Sequence, residues 1–131
     1  MTVEVGPLWS YEITLAPQPR SVAAARRFVR EHLDFHDLQM LGEDVILVAS
    51  ELATNAVVHA GTPFTVTITA SADTVVLSVK DDSSAKPIRG DAEVGDSAGR
   101  GLAIVDVVSR DWGMVVDLGV GKSVWAAFDV G

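Results

Sequence analysis

The segment SELATNAVVHAG, residues 50–61, decides the fold of this chain, because it places two polar side chains in an otherwise apolar helix pattern. Glu51 and Asn55 are four residues apart and therefore project from the same side of a helix. An unpaired carboxylate in a core costs on the order of several kcal/mol. We therefore expect the two side chains to face a polar cavity or a partner. The simpler alternative, for the pair taken alone, is an exposed strip on an amphipathic helix.

The patterns on both sides of this helix predict alternating strands and helices. The predicted elements, in chain order, are a strand (10–16), a helix with Ser21 as its N-cap, a second helix (42–59), a hairpin (64–70 and 74–80), a third helix (102–109) and a closing hairpin (112–118 and 122–130). A long polar loop, residues 81–101, separates the first hairpin from the third helix, and a loop of this kind favours a lid or binding role. This order predicts an α+β fold with one layer of helices on one sheet.

Composition limits the class of protein. The chain has 131 residues, of which 48% are hydrophobic, and we expect a single domain over residues 1–131. Its net charge of −8 argues against a general binder of nucleic-acid backbones, and the absence of cysteine excludes a zinc-thiolate site. Glu51 and Asn55 interrupt the longest apolar stretch before it could span a bilayer. We expect a cytoplasmic protein that contacts neither membrane nor nucleic acid.

Two features further along the chain fit a binding site that includes Glu51 and Asn55. Asp81 ends a predicted strand, where a fixed carboxylate offers only acceptors and suits an exocyclic amine such as that of adenine. Gly95, Gly99 and Gly101 precede a predicted helix, where backbone N–H groups can approach an anion. Each feature is weak evidence by itself. Together with the Glu51–Asn55 pair they predict a nucleotide site.

Two other glycine motifs do not form phosphate loops. GVGKS at 119–123 resembles the end of a Walker A loop, but Val116 stands where the first glycine is required and a strand pattern follows. GRG at 99–101 lacks the third glycine of a dinucleotide fingerprint and follows a loop instead of a strand. We interpret GVGKS as part of a hairpin turn.

Three segments in sequence order resemble the motifs of one ATP-binding fold. ELATNAVVHAG is similar to its N box, SVKDDSS occupies the place of its adenine box, and AGRGLAIVDVVSRDWG resembles its glycine box. This is the GHKL or Bergerat fold of gyrase, heat-shock chaperones, histidine kinases and mismatch-repair ATPases. Within it, the chain most resembles the small bacterial anti-sigma factor serine kinases. The resemblance runs from about residue 10 to the end of the chain, where GKSVWAAF resembles the closing strand.

This resemblance implies a fold and a set of site residues. The fold is a two-layer α/β sandwich, with three helices covering one face of a mostly antiparallel sheet. With ATP and Mg²⁺ as cofactors, Asn55 would ligate Mg²⁺, Glu51 would act as general base, and Asp81 would accept a hydrogen bond from the adenine amine. The other implied nucleotide-contacting positions are Gly99, Arg100 and Gly101 around the phosphates, Leu102 beside them, and Ser123 where the family has a threonine near the base.

The adenine box departs from the family pattern D-x-G-x-G, because Asp82, Ser83, Ser84 and Ala85 follow Asp81 and both glycines are absent. The resemblance implies an ATP-dependent protein serine/threonine kinase, a transferase that acts on an anti-sigma factor antagonist. It also implies a transcription regulator that binds a sigma factor and forms a homodimer. The alternative is a nucleotide-binding or degenerate module that holds a partner without phosphotransfer. A histidine-kinase catalytic domain is disfavoured, since no helical segment with a phosphoacceptor histidine is present.

Other residues carry weaker expectations. His59 could contact phosphate, but a histidine near a helix C-terminus more often caps carbonyl groups, and we favour that interpretation. Arg26, Arg27 and Arg30 form a basic helix face, which is either solvated or a docking surface for an acidic partner.

Overall fold

The computed structural model describes residues 7–83, 97–117 and 121–130, with residues 97–102 and 117 described by their backbone alone. These ranges contain a five-stranded sheet in the order β1-β2-β3-β5-β4, in which every neighbouring pair is antiparallel. The strands are β1 (Trp9–Leu15), β2 (Phe64–Ala70), β3 (Thr74–Asp81), β4 (Asp111–Asp117) and β5 (Gly121–Asp129). The α-helices described are α1 (Arg20–Phe35), α2 (Gly42–Asn55) and α3 (Ser97–Val108). The prediction of a two-layer α/β sandwich is confirmed.

Strand alternation gives the sheet one buried face. Successive side chains on a strand point to opposite sides, so Phe64, Val66 and Ile68 of β2 lie together towards the helices and are fully buried or nearly so. The opposite face of β1 and β2 carries hydroxyl groups that pair across the strands, with Ser10 bonded to Thr69 at 2.8 Å. The helices therefore cover the apolar face, as expected for an antiparallel sheet with one solvated side.

The helices bury the faces that the sequence pattern indicated. In α1, Ala25, Val29 and Leu33 are fully buried and recur every four residues. In α2 the buried positions are Val45, Val48, Ala49, Leu52 and Ala53. Helix α2 packs against α1 on one side and α3 on the other, and it also contacts β3 and β5. It is therefore the central element of the helical layer.

Two helices begin earlier than the sequence predicts. Ser21 is not the N-cap of α1: the helix begins at Arg20 after Pro19, and Ser21 is 3% exposed inside it. Proline presets a helical φ, so the helix can start from Pro19. Helix α3 begins at Ser97, before the predicted Leu102, because each glycine in its first turns disfavours helix by only about 1 kcal/mol.

Aromatic rings and histidines join the start of β1 to α1. Trp9 stacks on His36 with ring centroids 4.2 Å apart, and Tyr11 stacks on His32 at 3.9 Å. The Tyr11 hydroxyl is hydrogen-bonded to Nε2 of His36 at 2.9 Å. Phe28 meets His32 edge-on at 4.8 Å. Trp9 thus folds onto its own domain.

Burial of His32 makes the stability of this cluster sensitive to pH. The pKa of His32 is lowered from 6.5 mainly by burial and also by His36, against an opposing effect of Glu31. The unfolded chain therefore binds a proton more readily, so the contribution of His32 to stability is complete above pH 6.5. It is lost as the pH falls through the lowered pKa.

We accordingly expect the free energy of unfolding to decline below pH 6.5. Urea unfolding followed by tryptophan fluorescence across a pH series measures it, and His32→Phe should flatten the decline. His59→Gln, which changes an exposed histidine, is the matched control and should leave the slope in place. An equal slope in wild type and His32→Phe would contradict the assignment.

No helix in the described ranges is both long and apolar enough to cross a membrane.

Candidate functional site

Glu51 and Asn55 lie along one edge of the buried face of α2, and both are half-buried. At 3.6 residues per turn, Glu51 and Asn55 lie about 100° and 140° around the helix axis from Ser50. Ser50 faces α1, because its Oγ accepts a hydrogen bond of 3.3 Å from Arg26. The Glu51–Asn55 edge is therefore turned away from α1, and α2 also contacts α3. The pair is neither in the core nor fully exposed.

Neither of these side chains uses its hydrogen-bonding capacity on the part of the chain that the structure describes. Within residues 7–83, 97–117 and 121–130, Glu51 and Asn55 make no side-chain hydrogen bond or ion pair. Their neighbour Thr54, by contrast, bonds back to the carbonyl of Ser50 at 2.7 Å. A half-buried carboxylate and carboxamide with free acceptor atoms are available to a ligand.

The helix changes pitch directly after Asn55. Residues Ala56–Ala60 form a π-helix, which ends at Gly61 in the left-handed region with φ 66°. Such π turns are frequent at functional sites, and His59 within this one is exposed. Thr62 follows, and its Oγ1 accepts a hydrogen bond of 3.1 Å from the backbone N–H of Asp82. This bond joins the end of the α2 extension to the end of β3.

Asp81 is 5% exposed and is held by two donors. Its Oδ1 accepts hydrogen bonds from the backbone N–H of Ser83 at 2.9 Å and from Nζ of Lys122 at 3.0 Å. The same Nζ lies 3.0 Å from Oδ2. The Lys122 side chain is 11% exposed, so this is a nearly buried ion pair between β3 and β5. Lys122 was not among the predicted site residues, because its place beside Asp81 depends on the pairing of β3 with β5.

The strand register separates Ser123 from Asp81. Asp81 pairs with Lys122, and Lys80 pairs with Ser123. Directly paired residues share a face of the sheet and successive residues alternate. Ser123 therefore lies on the face opposite to Asp81, and Lys122 occupies the place beside the carboxylate.

Gly121 allows β5 to approach the end of β3. It is buried with φ 131°, and a Cβ atom at this position would lie 2.2 Å from the carbonyl oxygen of Asp81. A side chain is excluded by both the conformation and the contact. The glycine we interpreted as a turn residue therefore also shapes the surroundings of Asp81.

The predicted phosphate-contacting segment lies at the start of α3. Contrary to the prediction of a loop, Gly99–Gly101 are helical, together with Leu102. The first N–H groups of a helix lack intrahelical partners and suit an anion. The side chains of Arg100 and Leu102, and all of residues 84–96 including Gly95, lie outside the described residues. The nucleotide contacts implied for Gly99, Arg100, Gly101 and Leu102 remain predictions.

The side-chain oxygens of Glu51, Asn55 and Asp81 fit ATP and Mg²⁺. The free oxygens of Asn55 and Glu51 are hard ligands of the type that Mg²⁺ prefers, and Oδ2 of Asp81 is an acceptor for an amine. In the described ranges, no group of three or more acidic or histidine side chains could hold a metal by itself. A Mg²⁺ at Asn55 would therefore take most of its ligands from phosphate and water.

The fold and these residues together define a GHKL-type ATP-binding domain. The family model for the histidine kinase-like ATPase domain matches residues 15–126. The chain therefore belongs to the histidine kinase-like ATPase family, whose domains bind ATP, generally with Mg²⁺. No curated protein matches the chain.

Proposed function

We propose that this protein is an ATP-dependent serine/threonine protein kinase that also sequesters a sigma factor, and that its substrate is an anti-sigma factor antagonist. The observation that supports this most is the half-buried Glu51–Asn55 edge, whose acceptor atoms bond to none of the described residues. In a family of ATP-binding domains, such an edge suits a metal-bound triphosphate. The kinase assignment itself extends the resemblance described above.

Each residue would have one chemical role. The side-chain oxygen of Asn55 holds the Mg²⁺–triphosphate unit in place, and Mg²⁺, when bound, neutralises phosphate charge. Glu51 accepts the proton of the attacking serine or threonine hydroxyl. That hydroxyl oxygen forms a bond to the γ-phosphorus while the bond between phosphorus and the ADP oxygen breaks. ADP and a phosphorylated partner are the products.

A basic helix surface supports the protein-binding part of the proposal. Arg26, Arg27 and Arg30 are exposed on α1, and two of them line a groove of about 650 Å³ between α1 and α2. Leu47, which is 40% exposed, lies in the same groove. Clustered arginines next to apolar surface suit a partner that presents acidic and apolar side chains. A homodimer in which each subunit keeps this face free is consistent with the proposal.

One observation favours the alternative of a binding module without phosphotransfer. Both glycines of the adenine box are absent after Asp81, where Asp82, Ser83, Ser84 and Ala85 stand instead. Incubation with labelled ATP, Mg²⁺ and candidate antagonists separates the two functions. Label on a partner serine or threonine supports the kinase, whereas ATP binding without transfer, unchanged in Glu51→Ala, supports the module.

Asn55→Ala tests the metal side of the site. We expect it to abolish the Mg²⁺-dependent part of nucleotide affinity, a loss of about 10- to 100-fold for one interaction with a charged group. Calorimetric titration of ATP with Mg²⁺ and with EDTA measures both parts. Thr54→Ala, one residue away and bonded only to Ser50, is the control and should bind Mg²⁺–ATP normally. An unchanged affinity in Asn55→Ala would remove the assignment of Asn55.

A further inference from the structure

Both side chains of the Asp81–Lys122 ion pair can make further hydrogen bonds. Both hydrogen bonds that Asp81 accepts in the described ranges end on Oδ1, and Oδ2, whose contact there is Nζ of Lys122 at 3.0 Å, keeps a second lone pair for another donor. The Lys122 ammonium has three donors, and among the described residues its only partner is Asp81. At least one N–H of a nearly buried ammonium therefore has no acceptor there.

Leaving such a donor unsatisfied is costly, so the surroundings of Lys122 point to a ligand. A buried polar group loses its hydrogen bonds to water, and this costs free energy unless another partner replaces them. The cost is larger for a charged group. The free donor of Lys122 and the free acceptor of Asp81 are adjacent, since one nitrogen lies 3.0 Å from the carboxylate. The pair therefore offers a donor and an acceptor side by side.

An adenine ring has the complementary edge. Its exocyclic amine donates and its ring nitrogen N1 accepts, and these two groups are neighbours. Resting on the proposed ATP binding, we propose that Lys122 is a base-reading residue: Asp81 Oδ2 accepts from the adenine amine while Lys122 Nζ donates to N1. Lys122 then determines specificity for adenine, whereas the family resemblance implied Ser123 as the residue near the base.

The position of the pair in the fold agrees with this role. Asp81 and Lys122 both face the helical layer, and Gly121 keeps the backbone beside them free of a side chain. The Thr62–Asp82 hydrogen bond connects the strand end of this pair to the segment that follows Asn55. The base-reading pair and the metal-binding edge therefore belong to one continuous part of the structure.

Nucleotide analogues test the proposal on the wild-type protein. Calorimetry with Mg²⁺ compares ATP with 1-deaza-ATP, in which N1 is replaced by C–H. We expect 1-deaza-ATP to bind about 10- to 100-fold more weakly, the range for a hydrogen bond from a charged donor. The control, 7-deaza-ATP, is changed at a ring position away from this edge and should bind like ATP. Equal affinity for ATP and 1-deaza-ATP would overturn the proposal, as would tighter binding of GTP than of ATP.

Lys122→Met separates direct contact from a structural role. We expect this variant to bind ATP more weakly by the same factor and to lose the discrimination between ATP and 1-deaza-ATP. A purely structural lysine would instead lower both affinities equally and preserve their ratio, which would contradict the proposal. Should the variant fail to fold, as its melting curve would reveal, the analogue comparison on the wild type still decides. A wild-type protein that binds no ATP refutes the proposed function, whereas ATP binding without discrimination refutes this inference alone.

Discussion

Glu51→Gln is expected to lower phosphotransfer about 100- to 10,000-fold, the usual contribution of a general base, and to leave nucleotide affinity unchanged. Glutamine keeps the shape of the half-buried side chain but cannot accept the proton of the attacking hydroxyl. Because Glu51 makes no hydrogen bond or ion pair with the described residues, the substitution removes no partner from them. The expected loss is therefore a loss of chemistry and not of folding.

The measurement is single-turnover transfer of labelled phosphate from ATP to the partner protein, with binding followed separately by calorimetry. Asp44→Asn is the control, since it replaces a carboxylate by its amide at an exposed position in the first turn of the same helix, outside the groove between α1 and α2. Its transfer rate should equal that of the wild type. Undiminished transfer by Glu51→Gln would exclude Glu51 as the base, and an inactive wild type would favour the binding module.

Gly121→Ala is expected to destabilise the protein by about 3 kcal/mol or more. A non-glycine residue at φ 131° costs roughly 1–3 kcal/mol, and forcing packed atoms apart costs a similar amount. The obstructing atom is the backbone oxygen of Asp81, 2.2 Å from the added Cβ, so it cannot yield as a flexible side chain would. Relief requires β3 and β5 to separate at the Asp81–Lys122 pair, which should weaken ATP binding as well.

Urea unfolding measures this effect, and Gly61→Ala is its control. Gly61 also has a positive φ, 66°, but a Cβ there would meet no atom of the described structure within 4 Å. Only the conformational cost remains, about 1–2 kcal/mol for a left-handed residue. Similar losses in the two variants would show that the contact with Asp81 contributes nothing.

The fold was predictable because its signals are local and repeated. Every second residue of β2 is buried, and the buried residues of α1 recur at the interval read from the sequence. The position of Glu51 and Asn55 on one helix edge follows from the same periodicity. Their roles as base and metal ligand remain predictions.

The surroundings of Asp81 were less accessible because they depend on strand register. A shift of one residue between β3 and β5 exchanges Lys122 and Ser123 beside Asp81, and no local pattern fixes that register. The π-helix after Asn55 is another non-local outcome, since Val57 and its neighbours have an ordinary helical pattern. The sequence thus predicted that Asp81 lies at the end of its strand. The pairing of β3 with β5 decides which side chain of β5 lies beside it.

The hydrogen bond between Thr62 and Asp82 has a consequence for how the protein folds. It closes a loop of chain, residues 62–82, that contains the first hairpin and Asp81, and Asn55 lies shortly before this loop in the same stretch of sequence. Contacts between segments near in sequence lose little entropy when they form, so this stretch can assemble early and without the residues that follow it. The stretch that carries the first hairpin and Asp81 would then form first. Strand β5 would pair with it later and add Lys122 to a carboxylate that is already in place.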